Sequence, residues 1–184
     1  MMEQMAFSLD LNKCIKCKSC EMACNEYNNL SGIHRRKLLS FESKCSTSSI
    51  YLSISCNHCR NPVCVFICPE NNFYKRQDGM VIHNPSKCRS CERCVKACPF
   101  HAPKINPKTN KADKCNFCIE RIDQGLKPIC VENCLTGALK IVKVKTNKLK
   151  QYALNNKGTP FATYTNPSLL VNEQERGRIF LREG

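Results

Sequence analysis

Seventeen cysteines among 184 residues constrain this chain more than any other feature of its sequence. Cysteine at this density is typical of a disulfide scaffold, a set of zinc sites or a set of iron–sulfur clusters. The first residues, MMEQMAFSLDLNKC, have neither the basic start nor the apolar segment of a secretory signal. We therefore expect the chain to be synthesised in a reducing compartment, where disulfides are disfavoured.

All but one of the cysteines fall into four groups of four with regular spacing. The groups are Cys14, Cys17, Cys20 and Cys24 (C-x2-C-x2-C-x3-C); Cys56, Cys59, Cys64 and Cys68 (C-x2-C-x4-C-x3-C); Cys88, Cys91, Cys94 and Cys98 (C-x2-C-x2-C-x3-C); and Cys115, Cys118, Cys130 and Cys134 (C-x2-C-x11-C-x3-C). Cys45 is left over, and we predict a bystander thiol, with redox sensing as the alternative.

This spacing favours iron–sulfur clusters over zinc. A C-x2-C-x2-C loop can hold three thiolates around one face of a cuboidal cluster, while the fourth cysteine points away. In bacterial two-cluster ferredoxins that fourth cysteine binds the other cluster and a proline follows it, as after Cys68 and Cys98 here. Each group therefore needs a partner group, and four groups predict four 4Fe–4S clusters. Zinc sites usually combine two separate C-x2-C pairs and do not require the displaced fourth cysteine.

The order of the groups predicts the domain organisation. Groups two and three form one compact unit over residues 50–105, so groups one and four must bring residues 5–30 and 110–145 together. We predict an α+β fold of two bacterial-ferredoxin-like two-cluster units, one inserted in the other, with a small core stapled by the clusters. Residues 146–184 are predicted as an extended C-terminal arm that contacts a partner.

Local patterns add short elements to this outline. MAFSLD, YLSISC, GMVIHNPSKC and GALKIVKV alternate in the manner of short strands, and a turn is predicted at Gln77-Asp78-Gly79. Short helices are predicted to begin near each fourth cysteine, as in CEMACNEYN and CERCVKAC. A further short helix is predicted near residues 173–181.

The formal net charge of +14 has two interpretations. Four clusters at about −2 each would leave roughly +6, so the basic residues can offset cluster charge and raise reduction potentials. A docking face for an acidic partner is the alternative, whereas nucleic acid is disfavoured because no aromatic stripe supports base stacking. The sequence contains no run of 18 apolar residues, so we predict no direct membrane span. The basic residues among the cysteine groups are Lys13, Lys16, Lys18, Lys87, Arg89, Arg93 and Lys96.

Five stretches carry a resemblance to a known family: FSLDLNKCIKCKSCEMAC, SISCNHCRNPVCVFICP, KRQDGMVI, CRSCERCVKACPFHAPKIN and KCNFCIERIDQGLKPICVENC. Over about residues 6–144 the chain resembles the four-cluster iron–sulfur subunits of the dimethyl sulfoxide reductase family of molybdoenzymes. The resemblance implies a non-catalytic subunit that relays electrons between a quinol-oxidising membrane anchor and a molybdopterin-containing catalytic subunit. It also implies a peripheral location, membrane-associated through the complex, with the side of the membrane left open.

Two other functions stay open at this point. One is an electron carrier of a cytoplasmic formate dehydrogenase or hydrogenase complex, or a free polyferredoxin. The more remote one is a zinc-bound structural or nucleic-acid-binding module.

The resemblance also implies a ligand scheme. Cluster 1 would be held by Cys14, Cys17, Cys20 and Cys134; cluster 2 by Cys115, Cys118, Cys130 and Cys24; cluster 3 by Cys56, Cys59, Cys64 and Cys98; and cluster 4 by Cys88, Cys91, Cys94 and Cys68. By the same resemblance, clusters 1 and 2 would face the catalytic subunit and clusters 3 and 4 the membrane anchor.

A few residues depart from the pattern or lie outside it. Lys16 and Ser90 stand where relatives often have glycine between the first two cysteines. His58, between Cys56 and Cys59, is predicted to pack or hydrogen-bond beside the site rather than bind metal, since the sulfur set is complete. The sequence contains no recognisable nucleophile–base pair that would indicate an enzyme. No role is assigned to His34, His83 and His101.

Overall fold

The computed structural model describes residues 3–42, 49–145 and 163–172. Cys45, most of the predicted C-terminal arm and the predicted helix near residues 173–181 lie outside these ranges. None of the helices in the described part of the chain has both the length and the apolar character needed to cross a bilayer.

Short elements dominate the described residues. The strands are β1 (Glu3–Asp10), β2 (Arg36–Glu42), β3 (Ser49–Ser55), β4 (Phe73–Lys75), β5 (Val81–His83), β6 (Lys104–Asn106), β7 (Lys111–Asp113), β8 (Leu139–Lys145) and β9 (Leu169–Asn172). The helices are α1 (Ser19–Tyr27), α2 (Val63–Ile67), α3 (Arg93–Ala97), α4 (Ile119–Asp123) and α5 (Ile129–Glu132), with 3-10 turns at Pro85–Lys87 and Thr163–Thr165.

Strand β1 is the centre of a three-stranded sheet ordered β8-β1-β9. It pairs antiparallel with β8 from Glu3 opposite Lys145 to Leu9 opposite Leu139. Both strands were predicted from alternation, and both are confirmed. Their pairing, together with packing of α1 on α5, brings the first and last cysteine groups to the same end of the molecule.

Part of the predicted C-terminal arm is packed against the rest of the chain. Strand β9 runs parallel to β1, and the turn before it hydrogen-bonds the loop 57–61. The N–H of Asn61 donates to the carbonyl of Thr165 at 3.0 Å, and the N–H of Ser168 donates to the carbonyl of Asn57 at 2.9 Å. This packing depends on contacts distant in sequence, which local alternation does not reveal.

The predicted helices are present: α1 covers most of CEMACNEYN and α3 lies within CERCVKAC, although each helix begins before the fourth cysteine of its group. Helices α2 and α3 end just before Cys68 and Cys98, whose ψ angles of 114° and 116° are extended. A proline follows each of these cysteines, and proline disfavours helical backbone in the residue before it. After Cys24 no proline follows, and α1 continues to Tyr27. The third cysteine of each group lies within a helix: Cys20, Cys64, Cys94 and Cys130.

The hydrophobic core crosses the predicted boundary between the two units. Its largest cluster combines residues of β1 with residues of the inner segment, and cysteines complete it. A second cluster packs Ala112 of β7 against Cys64, Cys88 and Cys94. The apolar members of the first cluster include Met5, Phe7, Leu9, Leu52, Met80, Ile82 and Phe117.

Candidate iron–sulfur centres

The structure brings the sixteen grouped cysteines together in four sets of four, each combining three from one group with one from another. Site 1 is Cys14, Cys17, Cys20 and Cys134, which line one pocket. Site 2 is Cys24, Cys115, Cys118 and Cys130; burial and then the three neighbouring thiols raise the pKa of Cys24. Site 3 is Cys56, Cys59, Cys64 and Cys98, which line a second pocket. Site 4 is Cys68, Cys88, Cys91 and Cys94, which line a third.

The donor sets of these sites suit a cuboidal cluster. Among the described residues, no three His, Cys, Asp or Glu side chains converge as the ligands of a single metal ion do. The cysteines of sites 1, 3 and 4 instead surround empty space, with sulfur as the shared donor. Four thiolates spread around a cavity are the ligand set that a 4Fe–4S cluster requires.

The loop between the first two cysteines of each group contains a left-handed residue. Lys16 and Ser90 both have φ of 59°, which explains why glycine would suit these positions. The same conformation directs the N–H of Ser90 to the sulfur of Cys88 at 3.4 Å. Backbone amides therefore point at ligand sulfurs, which is one of the ways a protein sets cluster potential. The equivalent residues in the other two groups are His58 and Phe117, with φ of 42° and 65°.

The four sites differ in burial. All four cysteines of site 2 are buried, and site 3 contains only buried and half-buried cysteines. In contrast, Cys17 of site 1 and Cys91 of site 4 are exposed. Sites 1 and 4 therefore each place one cysteine at the surface, whereas site 2 is fully enclosed and site 3 is partly enclosed.

Burial keeps the enclosed thiols protonated in the absence of metal. It raises the pKa of Cys59 and of Cys64 to about 12 and that of Cys118 to about 11. Hydrogen bonds from Ser19 lower the pKa of the exposed Cys17. Because metal ligation requires thiolates, iron binding at the enclosed sites must displace protons.

Packing and chain connections show which sites are neighbours. Cys20 of site 1 and Cys24 of site 2 lie on the same helix, α1, and Cys56 of site 3 shares a buried cluster with Cys115 of site 2. Helix α2 contains Cys64 of site 3 and leads directly to Cys68 of site 4. Sites 1 and 2, 2 and 3, and 3 and 4 are therefore neighbours, in an order that runs from 1 to 4.

Aromatic side chains pack in the space between sites 2 and 3. The ring of Phe117, in the loop of site 2, stacks on Phe7 with centroids 4.2 Å apart. The ring of His58, in the loop of site 3, meets Phe117 edge-on at 4.8 Å. His58 also accepts a hydrogen bond from the N–H of Val81 at 3.0 Å, and burial lowers its pKa, so it stays neutral. His58 therefore has the packing and hydrogen-bonding role predicted for it.

Two cations, Arg36 and Lys114, are buried to 1% exposure, and neither was singled out from the sequence. Lys114 directly precedes Cys115, donates to the carbonyls of Val81 and Cys115, and acts on Cys56 of site 3. The sequence could have indicated Lys114, because it stands next to a cysteine of the fourth group. The basic residues that were singled out, Lys13, Lys16, Lys18, Lys87, Arg89, Arg93 and Lys96, are not buried.

Arg36 lies between sites 1 and 2. Its guanidinium donates to the hydroxyls of Ser53 and Ser55, each at 3.0 Å, and lies 4.4 Å from the centroid of the Phe7 ring. Its charge acts on cysteines of both sites. Arg36 lies at the start of strand β2, and the residues around it in sequence gave no signal of its burial.

Comparisons with known proteins agree on the class of site. Residues 47–144 match the family described as "4Fe-4S dicluster domain", and residues 11–27 match "4Fe-4S binding domain". The chain is 33% identical over 190 residues to the B subunit of the anaerobic dimethyl sulfoxide reductase of Escherichia coli, covering 97% of this chain and 93% of that protein.

Two further relatives are named for electron transfer or for iron–sulfur content. The chain is 36% identical over 149 residues to the thiosulfate reductase electron transfer subunit of Salmonella typhi, covering 78% of each. It is 35% identical over 157 residues to the formate dehydrogenase iron-sulfur subunit of Wolinella succinogenes, covering 72% of this chain and 78% of that protein.

Proposed function

Because the chain belongs to the 4Fe–4S dicluster family of electron-transfer subunits, we propose that it carries four 4Fe–4S clusters and relays electrons within a reductase complex. Like its relatives, it is an electron-transfer subunit and not the catalytic one. The observation that supports the relay most strongly is the row of four four-cysteine sets.

The proposed ligands of each cluster are the four cysteines of one site. Cluster 1 belongs to site 1, cluster 2 to site 2, cluster 3 to site 3 and cluster 4 to site 4. Each cluster, when bound, takes up and releases one electron at a time. The protein holds the sulfurs, points backbone N–H groups at them and excludes water from the two central sites.

The proposed partners lie at the two ends of this row. We infer a molybdopterin-containing catalytic subunit near sites 1 and 2 and a quinol-oxidising membrane anchor near sites 3 and 4. The relatives are named as subunits of reductases, which supports membership in a complex. The exposed cysteines Cys17 and Cys91 support electron entry and exit at sites 1 and 4. This chain would then be peripheral and attached to the membrane through its complex.

A second candidate is the same relay in a formate dehydrogenase complex. The similarity to the Wolinella iron–sulfur subunit favours it. The two candidates share the clusters and differ only in the partner enzyme.

Purification of the tagged full chain from anaerobically grown cells would test the proposal. We expect a large molybdenum-containing protein to co-purify in a complex recovered from membranes, and a quinol analogue to reduce the clusters. Reoxidation of the reduced complex by dimethyl sulfoxide would favour the first candidate, and reduction by formate would favour the second. A chain recovered alone, without molybdenum and not reduced by quinol, would contradict membership in a molybdoenzyme complex.

A further inference from the structure

Arg36 differs from every other arginine in the described chain in how completely it is enclosed. Only 1% of its surface is exposed, and no described carboxylate forms an ion pair with it. Its Nε–H is buried without a hydrogen-bond partner in strict geometry among the described residues, and its side chain lies close enough to Cys130 of site 2 to lower the pKa of that thiol against the larger effect of burial. A buried cation is costly unless an opposite charge lies close to it.

The opposite charge that Arg36 needs is available, among the described residues, from the cysteine sites. Its charge acts on Cys20 of site 1 and on Cys24, Cys115 and Cys130 of site 2. Four thiolates around a 4Fe–4S core leave a net charge of about −2 at each loaded site. Loading therefore places negative charge on both sides of the guanidinium, in an interior where salt screens little.

A single serine connects the guanidinium to site 1. Arg36 Nη1 lies 3.0 Å from Ser53 Oγ, and that hydroxyl lies 3.3 Å from the sulfur of Cys20. Because the guanidinium can only donate, Ser53 accepts from Arg36 and keeps its own hydrogen available. When Cys20 binds a cluster as a thiolate, this hydroxyl can donate to its sulfur.

We propose that Arg36 is a positioning residue of the relay, which holds one buried positive charge between sites 1 and 2 and raises the reduction potentials of both clusters. The inference rests on the proposed function, since it requires loaded clusters. A fixed cation favours the more negative, reduced state of each neighbouring cluster.

Arg89 provides a matched control for the charge. It lies beside Cys88 of site 4, but it is exposed, and its Nε lies 3.1 Å from a carboxylate oxygen of Glu70. Removing its charge should change cluster potentials less, because solvent and Glu70 already screen it. Arg36 and Arg89 therefore separate the effect of a buried cation from that of an exposed one.

The test is an EPR-monitored redox titration of the anaerobically purified full chain. Arg36→Gln should lower the midpoint potentials of two clusters and leave the other two unchanged. Cys17→Ser and Cys118→Ser, which each remove one signal, identify the two as clusters 1 and 2. Arg36→Lys, which keeps the charge, should have midpoint potentials close to those of wild type. Arg89→Gln should lower the midpoint potential of cluster 4 by less than Arg36→Gln lowers those of its two clusters. Equal potentials in Arg36→Gln and wild type, with all clusters present, would overturn the inference.

A second variant covers the case in which Arg36→Gln fails to bind iron. Ser53→Ala keeps the charge and removes the hydroxyl link, so cluster 1 should fall in potential while cluster 2 changes little; an unchanged cluster 1 would overturn the link through Ser53. Arg36→Lys tests the charge itself: if it lowers the potentials of clusters 1 and 2 although the charge is kept, the inference is overturned. If the wild-type chain itself binds no iron, the proposed function fails instead, so the two failures are distinguishable.

Discussion

The two central sites and the two end sites are built from the same cysteine pattern in different surroundings. Site 2 is fully buried, and the space around sites 2 and 3 contains Phe7, Phe117 and His58. Sites 1 and 4 each have one exposed cysteine, and charged loops surround them. Similar cysteine spacing therefore produces four similar sets of sulfurs, while their burial differs from site to site.

This difference matches two tasks within one relay. Enclosed sites keep water away, and their buried cations, Arg36 and Lys114, provide fixed charge where solvent cannot. Open sites allow a partner to approach the cluster closely. The exposed lysines and arginines around the end sites remain available for charge balance or for docking, the two interpretations left open by the sequence.

The largest expected effect compares cysteine removal at a central and an end site. Cys115→Ser and Cys91→Ser should each lower iron from about sixteen to about twelve atoms per chain, since one of four clusters is lost. Cys115 also lies in the main core, so its variant should melt about 10 °C lower, and Cys91→Ser less than half of that. Iron analysis and thermal melting of anaerobic samples measure both quantities. An equal decrease in melting temperature in the two variants would contradict the difference between central and end sites.

The next effect uses two glycines with left-handed backbone. A Cβ on Gly79, near the centre, would lie 2.3 Å from the side chain of Gln4, whereas one on Gly137, beside site 1, would meet nothing within 4 Å. Gln4 cannot move easily, because its amide donates to the carbonyls of Met5 and Gly79 at 3.0 and 2.9 Å. Gly79→Ala should therefore cost about 3 kcal/mol and Gly137→Ala about 1 kcal/mol.

Anaerobic urea unfolding of the two loaded variants gives these free energies. Gly137→Ala serves as the control, since both substitutions strain a positive φ and only one creates a clash. A loss of the same size in both would mean that the enclosed region is not tightly packed.

A smaller effect concerns oxidation. Clusters 1 and 4 should be lost several-fold faster than clusters 2 and 3 when the reduced chain meets air, because Cys17 and Cys91 are exposed. EPR spectra of samples reduced again after timed exposure measure the loss, with single-cysteine variants to assign the signals. Uniform decay of all four signals would show that burial does not protect the central sites.

The smallest effect is a stabilisation confined to the end sites. Lys18 and Glu92 are exposed, have φ of 59° and 58°, and make no side-chain cap hydrogen bond. Replacing either with glycine should raise the free energy of unfolding by about 0.5 kcal/mol, because the left-handed strain disappears. Since the two residues carry opposite charges, a gain shared by both must come from the backbone. A gain in only one of them would indicate an effect of charge instead.

Cysteine spacing is a local property and predicted the four groups, whereas the sets that combine cysteines of two groups were implied by the resemblance to the family. Strands β1 and β8 were predicted from alternation, and the resemblance to the dimethyl sulfoxide reductase family is confirmed. The stretches that contain α1 and α3 were predicted as well. The ends of α2 and α3 follow from the proline after Cys68 and Cys98, which restricts the preceding residue.

Features that depend on distant contacts were missed. Strand β9 forms only because it meets β1, and its four residues carry no strong pattern of their own. Arg36 is buried because β2 pairs with β3, which places Ser53 and Ser55 around the guanidinium. Neither the pairing nor the charge of the neighbouring sites can be read from the residues next to Arg36 in sequence.

Iron and acid-labile sulfide per chain, measured on protein purified without oxygen and combined with EPR of the reduced sample, test the central claim most directly. Four clusters predict about sixteen iron atoms and about sixteen sulfides per chain, with spectra of interacting 4Fe–4S centres. Little iron, no labile sulfide and about four zinc ions per chain would contradict the relay and favour a zinc-bound module.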